Sequence, residues 1–142
     1  SPFDCWLLNR SLATLSLRLA RQVQNALAIV AYLQTDPHIE KIYYPGLPDH
    51  PNHAVAKKQM NGNFGSMISI RVKGGEKESM RFAGGMKIFK HATSLGGVES
   101  LIEHRRPTEG AAPKSPGNLL RLSIGVEFID DLIADLKAGF TG

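Results

Sequence analysis

An apolar residue recurs at every third or fourth position across residues 12–33, a spacing typical of one face of a long helix. The positions are Leu12, Leu15, Leu19, Val23, Leu27, Val30 and Leu33. Asp36-Pro37 is expected to end this helix, because the residue before a proline avoids the α region. A helix of this length is either a long core helix or a bridge between two lobes of a larger protein, and the pattern favours neither alternative.

Two later segments alternate apolar and polar residues, as strands with one solvated face do. They cover residues 66–73 and 119–125. In the second segment Arg121 falls on the face opposite the apolar residues. The apolar faces of the two segments comprise Ile68, Ile70, Val72, Leu120, Leu122 and Ile124.

The rest of the chain reads as short helices and strands joined by turns. The predicted elements are a strand at 39–44, helices at 53–60 and 76–83, two short strands around a glycine turn within 86–103, a polar loop at 105–118 and a closing helix from Ile129 to Phe140. Gly84-Gly85 is expected to close the second of these helices in a left-handed turn. The fold class is therefore α/β in a layered α+β arrangement, with a small, mostly antiparallel sheet and helices on one of its faces.

Composition narrows the class of protein. The chain has 142 residues, of which 42% are hydrophobic, so that residues 1–142 are expected to form a single domain. It contains no long uncharged apolar run, which argues against a membrane partner. The net charge is +4, and the basic residues behind it are scattered along the chain, which argues against a nucleic-acid partner. A single cysteine and no recognisable leader favour the cytoplasm, while the absence of an initiator methionine suggests a fragment of a longer chain.

Several candidate sites have simpler structural interpretations. His50 and His53 are spaced for one helical turn, but a zinc site needs three or four ligands, and a surface turn is favoured, so no metal is predicted. Cys5 is expected to be a buried thiol near a helix start rather than a nucleophile. Asp130-Asp131 suit the first turn of a helix. Residues 61–65 form a turn before a strand rather than a phosphate loop.

Arg121 and Ser94 are the strongest remaining candidates. A guanidinium on a strand is suited to a carboxylate or phosphate, although an ion pair with a neighbouring acid is an equally good interpretation. Ser94 precedes Leu95-Gly96-Gly97, where glycines allow a ligand to approach the backbone closely. Glu99 and Glu103 flank this region, and each is expected to fix the turn through a hydrogen bond or an ion pair.

Three segments carry a resemblance to a known family. They are SLGGVESLI at 94–102, LRLSIGVE at 120–127 and DLIADLKAGF at 131–140, with SPFDCWLLNR at 1–10 and YPGLP at 44–48 in the same order. Together they resemble the carboxy-terminal domain of the transsulfuration family of pyridoxal-phosphate enzymes, which includes the cystathionine synthases and lyases. The resemblance extends over nearly the whole chain.

This resemblance implies that the chain is the substrate-pocket domain of a longer enzyme, with the fold of the carboxy-terminal domain of fold-type I pyridoxal-phosphate enzymes. The long helix within residues 1–36 would then bridge to a large cofactor domain outside this chain. The lysine that anchors pyridoxal 5'-phosphate would lie in that domain, so that no catalytic residue and no bound cofactor are expected in this chain alone. Arg121 would bind the α-carboxylate of an amino-acid substrate, and Ser94 would lie near the cofactor and the substrate.

The implied activity is β or γ elimination or replacement on a cystathionine-type substrate, carried out by a homo-oligomer, commonly a tetramer. Thr93 stands where many synthases and γ-lyases have an acidic residue and some β-lyases an aromatic one. The loop at 103–118 also departs from the segment that many members carry. The sequence therefore does not distinguish the reaction of a synthase from that of a γ-lyase or a β-lyase. The alternative is a catalytically inactive, truncated domain that serves as a folded binding or assembly module.

Overall fold

The computed structural model describes residues 1–141, and their centre is a mixed five-stranded sheet. The strands are β1 (Ile39–Tyr43), β2 (Met67–Val72), β3 (Lys90–His91), β4 (Leu101–His104) and β5 (Leu119–Ser123). Their order across the sheet is β1-β2-β5-β4-β3. Every neighbouring pair is antiparallel except β3 and β4, so the prediction of a mostly antiparallel sheet is confirmed.

Within residues 1–141 six helices accompany the sheet, and three of them form the core with it. The helices are α1 (Pro2–Leu12), α2 (Leu15–Leu33), α3 (His53–Met60), α4 (Glu76–Gly84), α5 (Arg105–Thr108) and α6 (Ile129–Thr141). Helices α2, α4 and α6 pack together over the buried apolar face of β2, β4 and β5. In this layer the rings of Phe82 and Phe140 stack with their centroids 4.0 Å apart. The period-two alternation of both predicted strands is confirmed, because Ile68, Leu120 and Leu122 are completely buried.

The helix predicted from Leu12 corresponds to α2, and a separate helix, α1, precedes it. At Thr14 the backbone leaves the α region, with φ −110° and ψ 5°, and this break separates α1 from α2. At the start of α1 the Ser1 side chain accepts a hydrogen bond from the Asp4 N–H, and Asp4 completes a capping box. No residue of α1 is buried among residues 1–141, and Cys5 is exposed. The expectation of a buried thiol is therefore wrong, because a local helical pattern does not indicate whether the helix packs against the rest of the domain.

Only part of the predicted apolar stripe is covered. Val23, Val30 and Leu33 are buried against the sheet and α6, whereas Leu15 and Leu27 are exposed. The second half of α2 is thus a core helix of this domain. The first half presents leucines that the described residues leave uncovered.

The end of α4 differs from the prediction. Gly85 has φ −78° and no left-handed turn closes the helix. Glycine is needed there for space, because a Cβ atom at Gly85 would lie 3.2 Å from the Cα of Gly139 on α6. A Cβ at Gly139 would in turn lie 2.8 Å from the Met86 side chain. These glycines permit close packing of two helices, which has no signature in one local segment.

The connection from β3 to β4 determines where the candidate residues lie. The two short strands predicted within 86–103 are present, but they pair in parallel, so residues 92–100 return the chain to the starting end of β4. The following loop contains the short helix α5, which the sequence did not indicate. No helix among residues 1–141 is long and apolar enough to cross a membrane.

Candidate functional site

Arg121 lies in the middle of β5, on the sheet face that α2, α4 and α6 do not cover. The strand register places Ser69 of β2 on one side of it and Glu103 of β4 on the other. This orientation confirms the alternation-based prediction that Arg121 projects opposite the apolar core. About a fifth of its side chain, 21%, is exposed.

The three residues singled out as the candidate site, Arg121, Ser94 and Thr93, meet in the structure. Arg121 Nη2 donates to the backbone carbonyls of Thr93 and Ser94, the second at 3.3 Å. Both loop residues are exposed, and Ser94 meets the arginine through its backbone rather than its hydroxyl. The arginine therefore ties the loop before Gly96 to the centre of the sheet.

Glu103 forms the hydrogen bond and ion pairs expected of it, but its partners, Arg105 and Arg121, were not indicated by local pattern. Its side chain is only 4% exposed, and its two oxygens face two different guanidinium groups. Oε1 accepts a hydrogen bond from Arg105 Nη1 at 2.9 Å, and Oε2 lies 2.7 Å from Arg121 Nη2. The second contact is an ion pair without hydrogen-bond geometry, so that Oε2 has no hydrogen-bond donor among residues 1–141. Two cations share one buried anion, which leaves the cluster with one positive charge.

Two buried side chains hold the loop that carries Ser94. The Gly96 N–H donates to Ser123 Oγ at 3.0 Å, and Gln22 Nε2 of α2 donates to the Gly97 carbonyl at 2.6 Å. Gln22 and Ser123 are each 1% exposed. A buried polar side chain with a specific partner is costly to misplace, so these contacts restrict the loop.

A second group of contacts fixes the far end of the same loop. The Glu127 carboxylate accepts from the Ser100 N–H at 2.6 Å and from Ser100 Oγ at 2.8 Å. Ser100 Oγ accepts from the Gly125 N–H at 2.9 Å, where a side chain would collide with the Val98 carbonyl. Glu99 forms an ion pair with Lys90 at 2.6 Å, which confirms the ion-pair interpretation of that residue.

An open cavity of about 340 Å³ lies against this loop. It is lined by Ala92, Ser94, Gly97, Val98, Glu99 and Leu101. At Gly96 and Gly97 nothing lies within 4 Å of the position that a Cβ would occupy, so the backbone there is open to close approach. Arg121 is connected to this cavity through the carbonyl of its lining residue Ser94, and an anchored guanidinium is suited to binding a carboxylate.

The loop after β4 is ordered by one carboxylate. Ser115 Oγ, the Ser115 N–H and the Lys114 N–H all donate to Glu109 and lower its pKa to about 2. Arg105, at the start of this loop, thereby belongs to a segment with defined internal contacts.

The residues interpreted as structural lie elsewhere. The His53 ring contacts the Pro45 carbonyl at 2.9 Å and stacks on Phe64, so that it serves the fold around α3. Within residues 1–141, no three histidine, cysteine or acidic side chains are grouped so that they could hold a metal. Asp130-Asp131 lie in the first turn of α6. Asn61 and Gly62 adopt positive φ in the turn before β2, as expected of a turn.

Comparison with known proteins gives one consistent result. The sequence model of a family described as Cys/Met metabolism PLP-dependent enzyme matches residues 1–141. The chain is 43% identical over 141 residues to the cystathionine gamma-synthase of Mycobacterium tuberculosis and 45% identical over 145 residues to the cystathionine gamma-lyase of Dictyostelium discoideum. Each match covers 96% of this chain.

The same similarity holds in three dimensions. The crystal structure of metB from Corynebacterium glutamicum superposes with a TM-score of 0.90 and 42% identity over 98% of this chain. The chain spans 36% of the length of the M. tuberculosis relative, 37% of the D. discoideum relative and 37% of the C. glutamicum chain. Because a synthase and a lyase are equally similar, overall identity does not discriminate between their reactions.

Proposed function

The chain belongs to the Cys/Met metabolism PLP-dependent enzyme family, and on that premise we propose that it completes the substrate pocket of an enzyme acting on sulfur-containing amino acids. The proposed reaction is β or γ elimination or replacement on a cystathionine-type substrate. The complete protein would be a cytoplasmic homo-oligomer whose large domain meets the uncovered sheet face and the exposed half of α2.

One observation carries this proposal. A strand-borne guanidinium, Arg121, is anchored to the carbonyls of Thr93 and Ser94, the second of which lines an open cavity, in a cluster with one surplus positive charge. An α-amino acid presents a carboxylate at a fixed distance from its reacting Cα. A cation held by rigid elements therefore orients that carbon as well as binding it.

The cofactor named by the family supplies an electron sink for the carbanion that forms when the Cα proton leaves. The described residues fit one side of such a group. Ser94 lines the cavity, and Gly96-Gly97 leave room for a ring to approach the backbone. Ser94 is thus the residue of this chain that would contact it. Lys90 forms an ion pair with Glu99, which lines the cavity, and is not proposed as an anchor.

The chain's own contribution is to bind and orient the substrate. Arg121 receives the substrate carboxylate, and the contacts of Gln22 and Ser123 keep the loop of Thr93 and Ser94 in one position against it. The substrate's side chain would then extend past Thr93, so that this residue influences which leaving group is accepted. The proton transfers belong to groups outside residues 1–141.

The test is the activity of the complete protein supplied with pyridoxal 5'-phosphate. Purified enzyme is given cystathionine, or an activated homoserine ester with cysteine, and the products are identified. Release of cysteine or homocysteine with an α-keto acid, or formation of cystathionine, supports the proposal and assigns the reaction. A correctly folded, cofactor-loaded protein that transforms none of these substrates would refute it and favour the binding or assembly module.

A further inference from the structure

Glu103 has a buried carboxylate whose presence is not explained by its contribution to stability. Its side chain is 4% exposed, although Ser69 and Arg121 on the same sheet face are partly exposed. Burying a carboxylate costs free energy that an ion pair often only just offsets, and an apolar residue of similar size stabilises a fold at least as well. Stability alone therefore does not account for a glutamate at this position.

The partners of Glu103 point to its role. Arg105 holds Oε1 with a hydrogen bond at 2.9 Å, which fixes the carboxylate from the loop side. The other oxygen, Oε2, lies 2.7 Å from Arg121 Nη2. The same Nη2 also meets the carbonyls of Thr93 and Ser94, so all three oxygens that hold Arg121 converge on one of its nitrogens.

This convergence leaves the remainder of the guanidinium for a ligand. Among residues 1–141, Arg121 Nε and Nη1 have no hydrogen-bond partner. Because the guanidinium is a rigid planar fork, three oxygens around one of its nitrogens restrict the positions of its other donors. The cluster's surplus positive charge is available to a bound carboxylate in the same place.

We propose that Glu103 is a positioning residue for substrate binding: anchored by Arg105, it holds Arg121 in the orientation that receives the α-carboxylate of the substrate. The inference rests on the proposed function, because it needs an amino-acid substrate at Arg121. Glu103 itself does not touch the substrate, and its effect passes entirely through Arg121.

The experiment compares two ligands that differ by one carboxylate. L-norleucine and pentylamine are tested as competitive inhibitors of the complete, cofactor-loaded enzyme in its unmodified and Glu103→Gln forms. Glu103→Gln keeps the size of the side chain and removes its charge. We expect norleucine affinity to fall by about tenfold or more, with pentylamine affinity within about twofold of the unmodified enzyme. For a productive substrate, KM should rise by a similar factor while kcat changes much less.

A matched control is Glu78→Gln. Glu78 pairs with Arg81 at 2.8 Å, but on the exposed side of α4. The Glu78→Gln variant should bind norleucine and pentylamine with the same affinities as the unmodified enzyme. If Glu103→Gln lowers the affinities for norleucine and pentylamine equally, or leaves both affinities unchanged, the inference is wrong.

A double-mutant cycle separates positioning from general structural support. In the Arg121→Gln background, Glu103→Gln should have little further effect on norleucine affinity, since its effect passes through the missing guanidinium. If the losses of norleucine binding free energy caused by the two substitutions are additive in the double mutant, the inference is overturned. Should Glu103→Gln fail to fold, Glu103→Asp retains the charge but withdraws it by one methylene, and an unchanged norleucine affinity in that variant would likewise overturn it.

The outcome for the unmodified enzyme keeps the two proposals apart. An enzyme that binds norleucine no better than pentylamine has no carboxylate site at Arg121, and both proposals then fail. An enzyme that prefers norleucine equally with and without Glu103 retains the proposed function and loses only the positioning role.

Discussion

Replacing Arg121 with lysine tests the candidate site most directly, because it keeps the charge and removes the guanidinium. In the structure, one nitrogen of Arg121 serves Glu103 Oε2 and the carbonyls of Thr93 and Ser94, and within residues 1–141 the other two nitrogens have no hydrogen-bond partner. Lysine has a single nitrogen. Its ammonium must divide its three N–H donors between those oxygens and the substrate carboxylate.

The magnitude follows from this division. A hydrogen bond to a charged group contributes about 1.5 to 3 kcal/mol, and the substrate carboxylate loses roughly one such contact. That range corresponds to an increase in KM of about 10- to 150-fold. The free energy of unfolding should fall by only about 1 kcal/mol, because Arg105 still pairs with the buried Glu103 and the lysine keeps a positive charge near it.

The assay is steady-state kinetics of the complete enzyme, with circular dichroism and thermal unfolding as the check on folding. Arg71→Lys is a suitable control, since Arg71 also lies on the sheet but pairs with Glu40 at 2.9 Å away from the cavity. A folded Arg121→Lys variant with the KM of the unmodified enzyme would refute the assignment of Arg121 to the substrate carboxylate. An equal rise in KM for Arg71→Lys would show that the effect is not local.

Three further predictions concern the contacts around the site. Asp135→Asn should lower the free energy of unfolding by about 2 to 4 kcal/mol in urea denaturation, because its buried carboxylate accepts three backbone N–H groups of residues 87–89, at 2.8, 2.9 and 3.1 Å; an unchanged midpoint would contradict this. Gln22→Leu, which removes the 2.6 Å hydrogen bond to the Gly97 carbonyl, should reduce kcat/KM by about fivefold while circular dichroism stays unchanged. Burial raises the pKa of Tyr44 from 10.0 to about 12, so the stability that the neutral ring contributes is complete below pH 10 and is lost as the pH rises towards 12. Phenolate absorbance, with Tyr44→Phe as reference, measures that step, and a Tyr44 titration near pH 10 would be the contrary result.

Elements whose periodicity is local and regular were predicted well. The helix at His53–Met60 and the strand at Leu119–Ser123 match their predicted segments. The spacing of apolar residues in these segments reflects the local backbone period, which depends on few distant contacts. Asp36-Pro37 also ends the helical region near the predicted position, with α2 finishing at Leu33.

Features that depend on distant packing were predicted poorly. Cys5 is exposed, because no residue of α1 is buried within residues 1–141. Gly85 is required by the approach of Gly139 on another helix and has no left-handed conformation. The parallel pairing of β3 and β4 likewise depends on which strands become neighbours, and short strands carry too few residues to indicate it.

The candidate site was predicted in part. Alternation along β5 placed Arg121 on the uncovered face, and the glycines after Ser94 indicated a loop open to a ligand. The ion pairing expected of Glu103 is present, but its pairing with Arg121 was not foreseen, because Glu103 lies opposite Arg121 in the neighbouring strand rather than in the glycine turn. Had the pairing of β4 with β5 been known, that register alone would have placed the two side by side.

The sequence by itself determined the layered class of the fold, the outward direction of Arg121 and the resemblance to a family, because backbone period and motif order are properties of neighbouring residues. Only the tertiary structure decided what Arg121 contacts. Its carboxylate partner lies 18 positions earlier in the chain and its carbonyl partners 27 and 28 positions earlier. Strand pairing and the return of residues 92–100 bring these groups together, and the burial of Glu103, which is 4% exposed, strengthens the interaction of its charge with Arg121.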